Sequence, residues 1–211
     1  MGQTLMQRIL TGALRTNCYF IYDDDTKETL IIDPADEADK LAGILTEHGL
    51  KPAAILLTHG HFDHIGAVDE LRKKYGTEVF CLAKEQEIME DAGNNLSAMF
   101  GQSFTVKPDK LLADGQELVL AGLSIRVIAT PGHTKGSCCY YFKDDRFLIS
   151  GDTLFEESVG RTDFPTGSGA ELVRSIQEKL FVLPEDTPVY SGHGEPTTIG
   201  HEKRFNPAAG L

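Results

Sequence analysis

Seven consecutive residues constrain this chain more than any others. Thr58-His59-Gly60-His61-Phe62-Asp63-His64 follows directly on the apolar run 53–57. A short, wholly apolar run reads as a strand buried on both faces. Four groups able to hold a metal then stand at its end, where rigid scaffold hands over to a loop and side chains can be aimed. Imidazole and carboxylate together suit zinc, or iron or manganese in a similar site. Three further candidates occupy matching positions. His133 lies in Thr130-Pro131-Gly132-His133-Thr134 after the strand-like run 123–129. Asp152 lies in Ser150-Gly151-Asp152-Thr153 after 146–149, and His193 in Ser191-Gly192-His193-Gly194 after 189–191. Each sits beside glycine or proline, and glycine lets backbone crowd close to a bound ion.

The rest of the pattern supplies a scaffold. Apolar strand signals cover 18–22, 29–32, 53–57 and 78–82, with helical periodicity over 36–48 and 68–75. Two hairpin signals follow, 117–120 with 123–129 and 138–142 with 146–150, then an amphipathic helix over 170–181 and a last strand at 189–191. Runs of strands separated by helices favour two sheets with outer helices over a doubly wound parallel sheet. The segment 84–110 reads as a helix plus a loop that either sits over a site or is a plain surface excursion. Residues 1–211 suit a single domain.

Composition excludes several functions. Net charge is −12, a field that repels phosphate backbones, so nucleic acid is not an expected partner. No apolar stretch reaches the ~18 residues of a membrane span, and the N-terminus carries no secretory pattern. Cys18, Cys81, Cys138 and Cys139 form no CxxC pair, and the adjacent pair should point to opposite faces of a strand. Small buried thiols in a reduced cytoplasmic protein are the expectation.

The motif TH-x-H-x-DH at 58–64, with His133, Asp152 and His193 in that order, resembles the metallo-β-lactamase fold family over nearly the whole chain. The resemblance implies an α/β fold, a four-layer αββα sandwich of two mixed β-sheets with outer helices and metals at one rim. It implies two divalent metal ions, zinc above all: His59, His61 and His133 around one, Asp63, His64 and His193 around the other, and Asp152 bridging. His48 and His201 fall outside the pattern and are expected in surface or packing roles. Two cations ~3.5–4 Å apart can share a water and yield hydroxide at neutral pH, with no Ser or Cys nucleophile.

Within the fold, the segments 151–155 and 189–193 are similar to those of glyoxalase II, the hydroxyacylglutathione hydrolases. That similarity implies a metal-dependent thioester hydrolase in which Asp63 and Asp152 are catalytic and the substrate is a small, anionic thioester. A thiolate leaves without a strong acid, since thiol reference pKa values lie near ~8.5. Arg161 keeps the basic residue of that family, but Asp163 and Glu195 stand where the family has glutathione-holding tyrosines. No counterpart of the family's C-terminal helical domain is expected within residues 1–211. Arg161 and, with less reason, Lys135 are the candidate substrate-binding cations. The rival is a persulfide dioxygenase, which the run Gly160-Arg161-Thr162-Asp163-Phe164 resembles. That rival would use one iron on His59, His133 and Asp152, with O₂ as co-substrate.

Overall fold

Alternation along the strands decides where everything goes. In the run 18–21, Tyr19 and Ile21 belong to one apolar cluster and Cys18 and Phe20 to another, and all four are buried. Leu30 and Ile32 likewise part from Ile31. A strand with both faces apolar must be covered on both, and the fold does this with four layers.

The structure, a computed structural model, describes residues 2–210. The first sheet runs β1 (Thr4–Thr11), β2 (Thr16–Asp23), β3 (Glu28–Ile32), β4 (Lys51–Leu56), β5 (Glu78–Leu82) and β6 (Lys110–Leu112), in that spatial order. Its first two pairings are antiparallel and its last three parallel. The second sheet uses β7 (Glu117–Leu120), β8 (Leu123–Ala129), β9 (Cys138–Phe142) and β10 (Phe147–Gly151). After the small hairpin β11 (Leu154–Phe155) and β12 (Ser158–Val159), it is completed by β13 (Pro188–Ser191) and β14 (Thr197–Thr198). The order there is β14-β13-β10-β9-β8-β7, with β10 and β13 parallel and the other pairs antiparallel. Both sheets are therefore mixed.

The central core lies between the sheets, where Leu30, Leu56 and Phe80 meet Ile125, Tyr140 and Ile149. Helices α1 (Ala38–Glu47) and α3 (Val68–Tyr75) cover the outer face of the first sheet through Leu41, Leu45, Val68 and Leu71. Between them lies the single turn α2 (Phe62–Ile65). Helix α5 (Gly169–Ser175), continued by a π-type turn over Ile176–Leu180, covers the second sheet with Leu172, Ile176 and Leu180. Cys138 enters the central core and Cys139 the outer one, as adjacent strand residues must. All four cysteines are buried and unpaired.

Some elements differ from the sequence expectation. β1 is an edge strand whose residues are mostly only half-buried, so no apolar alternation announces it. The periodicity over 170–181 does not separate a regular α-turn from the π-type one. The segment 84–110 holds only short helical pieces, among them α4 (Gln86–Met89), before turns and β6. A last helix, α6 (Ile199–Phe205), is capped by Thr198. His201 there pairs with Glu157 at 3.0 Å and His48 caps α1, both away from the metal-type side chains.

The two sheets are tied where β4 ends. Tyr140 donates from Oη to the Leu57 carbonyl at 2.7 Å, and the Cys138 amide donates to the Thr58 carbonyl at 2.9 Å. Tyr140→Phe leaves that buried carbonyl with only the weak Cys138 thiol donor at 3.7 Å and should cost about 1–3 kcal/mol. Calorimetry would register a melting point lower by several degrees, and an unchanged one would contradict the role of the tie.

Candidate metal centre

The seven candidate ligands arrive on segments that leave strand ends at one rim, 58–64 after β4, 130–134 after β8, 151–153 at β10 and 191–194 after β13, with Asp63 and His64 on the turn α2. Three imidazoles form one cluster. His133 Nε2 lies 2.9 Å from His61 Nδ1 and 3.2 Å from His59 Nε2. Nitrogens ~2.0–2.1 Å from a tetrahedral ion stand roughly 3.3 Å apart, so these separations are those of a ligand triangle. Around the second cluster, His193 Nε2 is 3.3 Å and His64 Nε2 3.8 Å from Asp63 Oδ2. Asp152 stands between the clusters. Its Oδ1 is 3.4 Å from His64 Nε2, and its Oδ2 is 3.6 Å from both His133 Nε2 and His193 Nε2.

Tautomers follow from what each ring's other nitrogen touches. His133 Nδ1 is 2.8 Å from the Arg161 carbonyl, which only accepts, so Nδ1 carries the proton and Nε2 keeps its lone pair. Asp33 sets two more. It accepts from His64 Nδ1 at 3.0 Å and from Thr58 Oγ1 at 2.6 Å, and Thr58 Oγ1 in turn faces His59 Nδ1 at 3.1 Å. Lone pairs on His59 and His64 are thereby aimed into the clusters, the outer support that metal-binding histidines require. Asp33, His59 and His64 also lie close enough to be read as a third ion-holding trio. Its ring nitrogens on that side are engaged by these hydrogen bonds, so we read it as a brace.

Two buried atoms test whether a metal fits. His64 Nε2 and Asp152 Oδ1 have no hydrogen-bond partner, although both are buried and both face the second cluster. Unsatisfied buried polar atoms cost about 1–3 kcal/mol each, and a shared cation would satisfy them together. His61 Nε2 is a third orphan, on the ring edge away from its cluster. Electrostatics divides the site in the same way. Burial and neighbouring imidazoles hold His59 and His61 well below the usual histidine range, which leaves neutral nitrogen ligands. Against burial, Asp152, Asp63 and Asp33 push His64 up to about 10, and His64 and His193 hold Asp63 well below the carboxylate range. The second cluster therefore attracts positive charge. The residues present fit two divalent cations.

Glycine makes the approach possible. A Cβ on Gly192 would lie 2.2 Å from Asp152 Oδ1 and 2.7 Å from His64 Cε1. The 191–194 loop is held from the opposite sheet by Asn17 Nδ2, which donates to the carbonyls of Ser191 at 2.9 Å and Gly194 at 3.0 Å.

Both candidate substrate-side cations have acidic partners. Arg161 lines the cleft above the clusters, and the Nε–Nη2 edge of its guanidinium is taken by Asp163, with Nε–Oδ1 and Nη2–Oδ2 at 2.7 Å. Its guanidinium also lies 3.9 Å from the Phe164 ring centre, so an anion there would share it with Asp163. Lys135 pairs with Glu87 in a separate groove, because the chain turns its side chain away after His133. The loop within 84–110 does border the cleft, through Leu96 and Phe100. Two important residues carry no sequence signal of function. Asp33 reads only as a strand stop before Pro34, and Glu85 only as one acid in a charged run. Glu85 is fully buried and accepts from the Gly60 amide at 2.7 Å and Thr134 Oγ1 at 2.8 Å.

A sequence profile described as the metallo-beta-lactamase superfamily matches residues 11–193. A probable metallo-hydrolase of Bacillus subtilis, YqgX, is 44% identical, with 95% of each chain covered. The hydroxyacylglutathione hydrolase GloC of Haemophilus influenzae is 36% identical, with 92% of this chain and 93% of that one covered. Among solved structures, the BLEG-1 B3 metallo-beta-lactamase superposes with a TM-score of 0.93 at 42% identity, covering 98% of this chain and 100% of that one.

Proposed function

The chain belongs to the metallo-β-lactamase superfamily and is a metal-dependent hydrolase, and from that premise we propose that it hydrolyses thioesters in the manner of glyoxalase II. The observation that carries this reading is the carboxylate of Asp152, within 3.6 Å of ligand nitrogens from both clusters. Two adjacent cation sites suit hydrolysis, whereas a single-iron dioxygenase would leave Asp63, His64 and His193 without work. His59, His61 and His133 would hold one ion and Asp63, His64 and His193 the other, with Asp152 between them. The donor set of five imidazoles and two carboxylates supports zinc. When bound, the pair supplies deprotonated water at neutral pH and polarises the scissile carbonyl.

The chain's own residues orient and shield. Asp33 and the Arg161 carbonyl keep the imidazole protons away from the site, and Asp63 and Asp152 supply the negative charge that holds the cations. Arg161, fixed by Asp163, shapes the cleft wall. The acidic surface argues against nucleic acid, and no helix of the described residues is long and apolar enough to cross a membrane. Four free buried cysteines support a reducing, cytoplasmic setting.

The decisive experiment measures metal content and hydrolysis of a thioester panel while following oxygen uptake on glutathione persulfide. Two metals per chain with thioester turnover supports the reading; one iron with oxygen consumption would overturn it. Asp63→Ala should lower hydrolysis ~100-fold or more while one ion is retained, and full activity in that variant would favour the single-metal rival. Chelation should lower the melting point by about 5–15 °C, because a ligand at 1,000 times its Kd stabilises by about 4 kcal/mol. A melting point indifferent to chelator would mean that the clusters hold no ion.

A further inference from the structure

The cleft above the two clusters encloses about 470 Å³, and its walls contrast with its floor. The floor is made of ligand-type imidazoles and carboxylates. The walls are apolar. Phe100 stacks on Phe62 with ring centres 4.5 Å apart, and Phe62 is the residue between His61 and Asp63. Phe164 meets His61 edge to face at 5.9 Å, and Phe155 meets His193 at 6.4 Å. Leu14 and Phe100, at the mouth, are 49% and 51% exposed, so large apolar side chains face water there and gain by being covered.

Charge complementarity for an anion is missing. Among the described residues lining the cleft, Arg161 is the one Lys or Arg, and it is ion-paired with Asp163. Asp33 adds a third acidic group beside Asp63 and Asp152, so two dications with a hydroxide leave the centre near zero net charge. An adjoining hollow, which shares Leu14, Phe62 and Asp63 with the cleft, contributes Asp36 and Gln102 but no cation.

Resting on the thioesterase reading above, we infer that the substrate is a thioester whose acyl group is uncharged and apolar, an aryl-acetyl or medium-chain aliphatic group. Both groups bonded to the reacting carbonyl leave from the cleft floor, and the acyl group is the one we place among these rings, on walls that rise from residues adjacent to the ligands themselves. Burying an apolar group there is favourable, whereas a charged acyl group meets, besides the ion-paired Arg161, only the neutral Ser158 and the ligand-type side chains among the residues lining the cleft. In the reaction, water oxygen bonds to the acyl carbon, the C–S bond breaks with its electron pair going to sulfur, and the water protons end on the carboxylic acid and the thiol.

The test crosses two acyl groups, phenylacetyl and lactoyl, with two thiols, glutathione and the uncharged N-acetylcysteamine. The holoenzyme should show kcat/KM at least about 10-fold higher for phenylacetyl with both thiols. Phe100→Ala, at a half-exposed position where folding is not at stake, should shrink that ratio. Binding gives a second readout, because unreactive thioethers cannot turn over. S-phenethyl-N-acetylcysteamine should inhibit with a Ki at least about 10-fold below that of its S-(2-hydroxypropyl) counterpart. Preference for lactoyl, turnover confined to glutathione thioesters, or equal Ki values would overturn the inference and leave the thioesterase reading intact. Failure to hydrolyse any of the four would overturn both.

Discussion

Asp152→Ala should leave the protein folded, with less than one metal ion per chain and turnover reduced by ~10³-fold or more. The expectation follows from position. Asp152 reaches both clusters, with Oδ1 3.4 Å from His64 Nε2 and Oδ2 3.6 Å from His133 Nε2 and from His193 Nε2. Removing it takes away a ligand of each ion and one of the negative charges that offset two neighbouring dications. Asp152→Asn keeps the shape and loses the charge, so it separates the two effects. We expect the asparagine variant to hold metal better than alanine and still to lose most activity. Metal analysis of the purified variants with initial rates at matched pH checks this. Two tightly held ions in the alanine variant would show that Asp152 does not bridge.

The seven metal-type residues were legible because they follow the ends of apolar strands and most neighbour a glycine, so chemistry and local geometry point the same way. The sandwich was legible for a similar reason: strands such as Leu30–Ile31–Ile32 are apolar on both faces and demand cover on both. Asp33 was not, because Asp-Pro after a strand is ordinary turn chemistry, and only the fold brings it within 3.0 Å of His64, thirty-one residues away. The state of Arg161 was also hidden. Its fork-to-fork pairing with Asp163 depends on backbone direction between them, which spacing does not specify. Edge strands such as β1 escape because a half-exposed element need not alternate.

Glu85 carries the other large expectation. Its two oxygens join the loop bearing His59 and His61 to the loop bearing His133, through the Gly60 amide and the Thr134 hydroxyl. Neither loop has room for anything else at these points: a Cβ on Gly136 would lie 2.5 Å from Glu85 Oε2. Glu85→Ala strands a buried amide and opens a void between ligand loops, so metal affinity should fall about 10–100-fold and stability by about 2–5 kcal/mol. Glu85→Gln should restore part of both, since the amide oxygen still accepts from Gly60 and Thr134 Oγ1 can accept in return, while the new NH2 group faces the donating Gly136 amide. Burial, opposed by hydrogen bonds from Thr134 and from the Gly60 and Gly136 amides, pushes the Glu85 carboxyl up from 4.5 to about 7. The folded chain thus binds a proton between those values that the unfolded chain releases, so this contribution is whole below about pH 4.5 and lost as pH rises through about 7. Glutamine has no such proton. Denaturant unfolding of both proteins from pH 4.5 to 8 should show wild type losing ground to Glu85→Gln by about 1.4 kcal/mol per pH unit within that window. A difference that stays constant with pH would mean that Glu85 is ionised in the fold and that its bridge is an ordinary charged brace.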